Sequence, residues 1–154
     1  MKIKTAIALG ILAASQFVST PAKAKKPFVY GPCRTIDIFL KKELRKKGID
    51  PVEVTFDYPQ EKYSTYPKDS TQMLITTIKP QDDKILSNGL LQKQLFNKVY
   101  KACSDVAAIT LGVQQSGNDS TVGVPLTGTQ PILFTCIQEG GTSKKLQWGT
   151  KYCK

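Results

Sequence analysis

Carboxylates are the side chains in this sequence that could carry out acid–base chemistry. The sequence contains no histidine, which removes the commonest general base and the ordinary Ser–His and Cys–His nucleophile pairs. A pair of carboxylates could instead support a glycosidase-type hydrolysis. The available candidates are Asp57, Glu61, Asp82 and Asp83. Because carboxylates are mostly solvated surface groups, none of them is assigned a catalytic role, and a hydrolase is kept as an alternative.

Four cysteines, Cys33, Cys103, Cys136 and Cys153, indicate disulfides rather than metal ligation. No two of them lie close together in the sequence and no histidine accompanies them, so we expect no metal site. The chain also lacks a phosphate-binding glycine motif and a dinucleotide fingerprint, so no cofactor is expected. An even number of cysteines in a small chain with an export leader predicts two disulfides.

The first 24 residues have the layout of a secretory signal peptide. Lys2 and Lys4 precede the apolar run Thr5–Ala14, and an Ala-x-Ala cleavage pattern ends at Ala24. The apolar run is shorter than the roughly 20 residues that a membrane-spanning helix needs. We therefore predict cleavage after Ala24, a periplasmic or secreted location, and one mature domain over residues 25–154 without a membrane span.

The densest run of charge lies on the first predicted helix of a chain whose formal net charge is +10. The candidate partner-binding cations are Lys41, Lys42, Arg45 and Lys46. Such a run attracts polyanions or acidic proteins, but it is also the usual appearance of a solvated helix face. No aromatic residue interleaves with it apart from Phe39 of the apolar stripe, so a stacking platform for single-stranded nucleic acid is poorly supported.

A second candidate surface is the polar segment 59–70, which is long for a connection between two strands. It is flanked or occupied by three tyrosines, Tyr58, Tyr63 and Tyr66. Tyrosine offers a large contact area with a polar tip, which suits recognition. We predict that this loop contacts a partner, helped by the basic helix. The alternative is a structural loop whose tyrosines are fixed in the core.

Two amphipathic helices position these candidate residues. The first is expected to begin after an N-cap at Thr35 and to end before Gly48, while the second begins after Asn88 and carries an apolar stripe to Cys103. The second helix runs straight into Val106–Val113, whose continuous apolar character is typical of a strand covered on both faces. We therefore expect the apolar stripe of the helix to pack on a sheet and both faces of the strand to be buried.

The remaining segments predict the other strands of an α+β domain. They are Val52–Tyr58, Thr71–Lys79, Thr121–Leu126 and a terminal hairpin of Ile132–Gln138 with Leu146–Cys153. We expect two helices packed on a mainly antiparallel sheet of five to six strands, stapled by disulfides. If Phe28–Tyr30 forms a brief strand, the order reads βαββαβ, a ferredoxin-like arrangement with a β extension. Without it, both helices pack on one face of an antiparallel sheet.

The predicted terminal hairpin leads to a prediction of the disulfide pairs. In that hairpin Cys136 and Cys153 would lie roughly 20 Å apart at ~3.3 Å per residue. A disulfide requires Cα atoms within about 7 Å. Of the three connectivities we therefore predict Cys103–Cys136 and Cys33–Cys153, the second of which would tie the two ends of the domain together.

These features favour a small exported binding protein with a basic surface, of the inhibitor, immunity or adaptor type. We expect its partner to be a protein or an anionic component of the cell envelope rather than nucleic acid. The alternatives are the carboxylate hydrolase and a structural component of an envelope assembly. A buried carboxyl with a raised pKa would favour the hydrolase, an exposed apolar patch would favour binding, and a self-complementary sheet edge would favour assembly.

Overall fold

The computed structural model of the chain describes residues 31–138 and 145–152. The predicted signal peptide, the brief strand Phe28–Tyr30, Cys153 and the turn of the terminal hairpin lie outside the described residues. Among the residues that are described, no helix is both long and apolar enough to cross a membrane.

The two long helices, Ile36–Arg45 and Gly89–Ala102, form where apolar residues recur at helical spacing. In chain order the helices are α1 (Ile36–Arg45), α2 (Pro59–Lys62), α3 (Lys84–Ser87) and α4 (Gly89–Ala102), with 3-10 turns at Gly31–Thr35 and Pro80–Asp82. Asn88 caps α4 as predicted, since its side chain accepts a hydrogen bond from the Leu91 amide at 3.0 Å. Thr35 makes no such bond, because it ends the 3-10 turn that leads into α1. Gly48 follows α1 with a φ of 75°, a conformation that favours glycine.

Five strands form the main sheet in the order of the chain. They are β1 (Pro51–Asp57), β2 (Gln72–Ile78), β3 (Val106–Val113), β4 (Asp119–Gly123) and β5 (Ile132–Leu133). The β2–β3 pair is parallel and its crossover contains α4, whereas the other three pairs are antiparallel. The fold class is thus α+β with a mixed sheet. The ferredoxin-like order would place a strand between β2 and β3, and their direct pairing leaves no place for one.

A second, two-stranded sheet replaces the predicted terminal hairpin. It consists of β6 (Thr135–Ile137) and β7 (Thr150–Tyr152), which pair in parallel rather than antiparallel. The prediction of a hairpin was wrong because the chain around Leu146 pairs with Tyr63 before it returns alongside β6. The backbone of Leu146 accepts a hydrogen bond from the Ser64 amide at 2.8 Å, which fixes this detour.

The two faces of the main sheet carry different hydrophobic clusters. On one face, α1 and α4 pack on β2 and β3 through residues such as Leu40, Phe96, Leu74 and Ile109. On the other face, the neighbouring residue Met73 belongs to a smaller cluster with Ala107, Ala108, Tyr63, Phe134 and Trp148. Successive strand residues point to opposite faces, which explains most of the division. Ala107 and Ala108 share a cluster although they are adjacent, because the register with β2 is irregular there. Both main helices therefore lie on one face, with their polar sides towards solvent.

A disulfide between Cys33 and Cys103 joins the turn before α1 to the end of α4, with a Cα–Cα distance of 5.2 Å. At the far end of the helix pair, Lys47 and Leu91 line the same small cavity, so α1 and α4 run in opposite directions. The predicted pairs Cys103–Cys136 and Cys33–Cys153 were wrong, because Cys136 lies in β6 of the second sheet rather than under α4. Cys136 is also disulfide-bonded.

Candidate functional site

The α1–α4 layer gathers cations from two separate parts of the chain on one solvent-facing surface. We call this surface the cationic face, and it comprises Arg34, Lys41, Lys42, Arg45, Lys46, Lys47, Lys93, Lys98 and Lys101. Seven of these side chains are exposed, while Lys41 and Lys93 are half-buried. Residues 31–48 and 89–103 contain only two acidic residues, Asp37 and Glu43. The helical layer is therefore strongly positive.

In the rest of the described chain, acidic residues outnumber basic residues. This part contains six lysines, namely Lys62, Lys68, Lys79, Lys84, Lys145 and Lys151. It contains nine acidic residues, namely Asp50, Glu53, Asp57, Glu61, Asp69, Asp82, Asp83, Asp105 and Asp119. Charge is thus segregated between the helical layer and the remainder of the domain.

Glu43 organises the seam between the two helices. Glu43 is 4% exposed, and its carboxylate accepts hydrogen bonds from the ammonium groups of Lys46, which directly follows α1, and Lys98, on α4. The bond to Lys46, followed by the 2.7 Å bond to Lys98, lowers the pKa of Glu43 to about 2. The carboxylate is therefore ionised at physiological pH, and it holds two lysines of the cationic face in place.

Two large apolar side chains stand out on the solvent side of these helices. Ile38 is 61% exposed in α1, and Leu90 is 70% exposed in the first turn of α4. In α1, Lys41 and Lys42 follow Ile38 at i+3 and i+4 and Arg45 follows it at i+7, while Arg34 lies in the 3-10 turn before the helix. An exposed apolar side chain with cations nearby therefore lies on the outer side of α1.

The four predicted cations Lys41, Lys42, Arg45 and Lys46 all belong to this face. The sequence analysis did not include Lys93, Lys98 and Lys101 of α4 among the candidate cations. The prediction that both helices pack on one face of the sheet contained the necessary signal. Two amphipathic helices that share a sheet face must turn their polar sides outward together.

Most of the predicted tyrosine surface is buried in the core. Tyr58 is 7% exposed and Tyr63 is 4% exposed, while Tyr66 is half-buried. The ring of Tyr63 packs edge-on against Trp148 and Phe134, at centroid distances of 5.0 and 5.8 Å. Burial, with smaller contributions from Asp57 and Asp119, raises the pKa of Tyr63 to about 12. Tyr58 and Tyr63 therefore lie in the core of this fold, and the segment between β1 and β2 contains the short helix α2.

The candidate carboxylates of a hydrolase are distributed over separate elements. Asp57 ends β1 and forms an ion pair with Lys62, and Glu61 is exposed in α2. Asp82 accepts a hydrogen bond from the Asp50 amide at 2.9 Å. Lysine partners lower the pKa of Glu43 and that of Asp50, neither of which is a candidate catalytic carboxyl. A general acid requires the opposite displacement.

Asp83 lines a crevice of about 630 Å³ at one end of the domain. The crevice lies between α3, the β3–β4 turn and the second sheet, and it is lined by Asp83, Lys84, Leu86, Ser87, Gly117, Asn118, Asp119, Cys136 and Lys151. Its volume is within the range of small-molecule sites. The carboxylate of Asp119 is already paired with Lys151, so this group is neutralised within the fold.

Comparison with known proteins adds no further assignment. No protein-family model, curated protein or solved structure matches this chain. The fold and the site define a class only in structural terms: a disulfide-stapled α+β domain whose two-helix layer presents a cationic face.

Proposed function

We propose that this chain is a small exported binding protein that docks on an anionic partner through the cationic face. The segregation of charge carries this proposal. Nine cations stand against two acidic residues on the helical layer, and six against nine elsewhere in the described chain. A net charge is sufficient for solubility, so solubility does not require the charges to be segregated. A surface on which one sign of charge dominates creates an electrostatic potential that attracts and orients a partner of opposite charge.

Two further observations support this assignment. The Cys33–Cys103 disulfide is consistent with an oxidising compartment, as the predicted leader also indicates. The exposed side chains of Ile38 and Leu90 add apolar contact area to the charged surface. A docking face that combines both kinds of contact gains affinity from the apolar part and steering from the charges.

The two alternatives receive less support. The outer edge of β1 begins with Pro51, has an irregular register at Val52 and carries the exposed charge of Glu53. These are devices that prevent edge-to-edge pairing, so they argue against assembly through this strand. A carboxylate hydrolase is not favoured by the contacts of its candidate groups, because Asp57 is paired with Lys62 and Asp82 accepts a hydrogen bond from the Asp50 amide.

Retention on immobilised heparin tests the proposal with two variants of equal net charge. One carries Lys42→Glu and Lys101→Glu on the cationic face, and the other carries Lys68→Glu and Lys84→Glu outside it. All four lysines are exposed, so both variants should keep the fold, which circular dichroism checks. We expect the face variant to elute at a clearly lower salt concentration than the control variant. Equal elution of the two would contradict the proposal.

A further inference from the structure

Ile38 and Leu90 are the large apolar side chains on the solvent side of the two helices that a purely electrostatic surface does not explain. Ile38 is 61% exposed; Lys41, Lys42 and Arg45 follow it at i+3, i+4 and i+7 in α1, and Arg34 precedes the helix in the 3-10 turn. The apolar faces of α1 and α4 are packed on the sheet, so any contact with lipid would be made by their charged sides. Basic surfaces are attracted to anionic lipid headgroups, and an apolar side chain among the cations can enter the headgroup region.

We propose that the anionic partner is the surface of a phospholipid membrane that contains anionic lipids. On this surface α1 and α4 lie flat, and Ile38 enters the headgroup region. This inference rests on the proposed function, because it names the partner of the same cationic face. It differs from that function in assigning a role to an apolar side chain and in requiring a bilayer.

The seam between α1 and α4 offers little room for an anchoring side chain from a protein partner. The two helices run side by side in opposite directions, and the cavity between them, lined by residues such as Glu43, Leu91 and Lys98, measures only about 20 Å³. Protein partners typically insert an aromatic or arginine anchor into a well-formed pocket. A space that holds less than one side chain offers no such pocket, whereas it does not impede contact with a flat lipid surface.

The distribution of charge over the domain gives the docked protein an orientation. The helical layer carries the surplus of cations, and the remaining described residues carry more acidic groups than lysines. An anionic membrane attracts the first part and repels the second, so the helical layer should face the lipid. Binding is expected to be reversible, because one inserted side chain and a set of surface charges do not anchor a protein permanently.

Vesicle co-sedimentation tests this inference with matched apolar variants. Ile38→Ser removes the proposed insertion, and Val52→Ser removes an exposed apolar residue of β1 outside the cationic face. The probes are vesicles of phosphatidylcholine alone and vesicles with about 30% phosphatidylglycerol, a content that gives a negative surface potential. We expect binding only to the anionic vesicles, weakened about fivefold by Ile38→Ser and unchanged by Val52→Ser. Heparin retention should be the same for both variants and the wild type.

The depth of insertion can be measured directly. Tryptophan introduced as Ile38→Trp should be quenched by vesicle lipids that carry bromine on the acyl chains. Trp148 provides an internal control, because it is buried against the other face of the sheet. Quenching of the introduced residue supports the inference, and quenching equal to that of the wild-type protein contradicts it.

The outcomes separate this inference from the proposed function. Retention on heparin without binding to anionic vesicles would overturn the lipid inference and leave the anionic docking face intact. Tighter binding to poly-L-glutamate than to anionic vesicles would identify an acidic protein as the partner instead. Absence of binding to all three probes would overturn both proposals. Equal vesicle binding by Ile38→Ser and the wild type would overturn the insertion of Ile38.

Discussion

The buried carboxylate of Glu43 illustrates how one side chain can serve both the fold and the site. It satisfies two ammonium groups, Lys46 and Lys98, on different helices, and it is enclosed where the helices meet. Removing it would leave these lysines free to move and would place like charges next to each other without a counter-ion. The geometry of the cationic face thus depends on an acidic residue that lies beneath it.

Substitution Glu43→Gln should alter the pH dependence of stability. The pKa of Glu43 is lowered from 4.5 to about 2, so its stabilising contribution is complete above pH 4.5 and is lost as the pH falls towards 2. The variant should therefore be less stable than the wild type at pH 7, and the difference should shrink between pH 4.5 and 2. Urea unfolding midpoints across this range measure it. A difference that does not change with pH would show that the lysine pairing contributes nothing in solution.

Thr76 offers a second prediction of this kind. It is fully buried on the helix-facing side of β2, and its hydroxyl has no hydrogen-bond partner among the described groups. Valine has a similar shape without the hydroxyl, so Thr76→Val should stabilise the protein by about 1 kcal/mol. The matched control is Thr110→Val, because the Thr110 hydroxyl bonds that of Thr121 at 2.9 Å. The control should not stabilise, and a loss of stability in Thr76→Val would contradict the assignment.

At the scale of the elements, the site depends on the packing of α1 against α4.

The helices and most strands were predictable because apolar residues recur with the period of each element, as in α4 and β3. The terminal region was not predictable by the same means. Leu146 pairs with the distant Tyr63, and Phe134 turns into the second core cluster, and neither contact leaves a local signal in the sequence. The cysteine pairing failed for the same reason.

The disulfide between Cys33 and Cys103 should make a large contribution to stability. It closes a loop with a sequence separation of 70 residues. Cross-links of this kind typically stabilise by about 2–4 kcal/mol, chiefly by restricting the unfolded chain. The double variant Cys33→Ser with Cys103→Ser should therefore lose about that much free energy of unfolding. Guanidinium denaturation measures the loss.

A non-reducing peptide map is the companion measurement. It should yield a fragment in which Cys33 is joined to Cys103. Recovery of Cys33 joined to Cys136 instead would show that the helix pair is not stapled as described. A stability of the double variant equal to that of the wild type would contradict the role assigned to the bond.

Charge segregation is a property of the folded domain rather than of any segment. The sequence shows the basic run of α1 directly, so Lys41, Lys42, Arg45 and Lys46 could be predicted as candidates. The prediction of both helices on one sheet face implied that Lys98 and Lys101 point outward as well, but their position next to the cations of α1 depends on α4 lying directly beside α1. The tyrosine segment is the converse case: its composition suggests recognition, but Tyr58 and Tyr63 are needed by the core.

Lysine acetylation footprinting tests the docking face most directly, because it uses the unmodified protein and carries its own controls. The exposed lysines Lys42 and Lys101 lie on the cationic face, and the exposed lysines Lys68 and Lys84 lie outside it. In the presence of heparin, and separately of anionic vesicles, acetylation of Lys42 and Lys101 should fall several-fold while that of Lys68 and Lys84 stays unchanged. Equal protection of all four lysines, or protection of Lys68 and Lys84 alone, would contradict a docking face formed by α1 and α4.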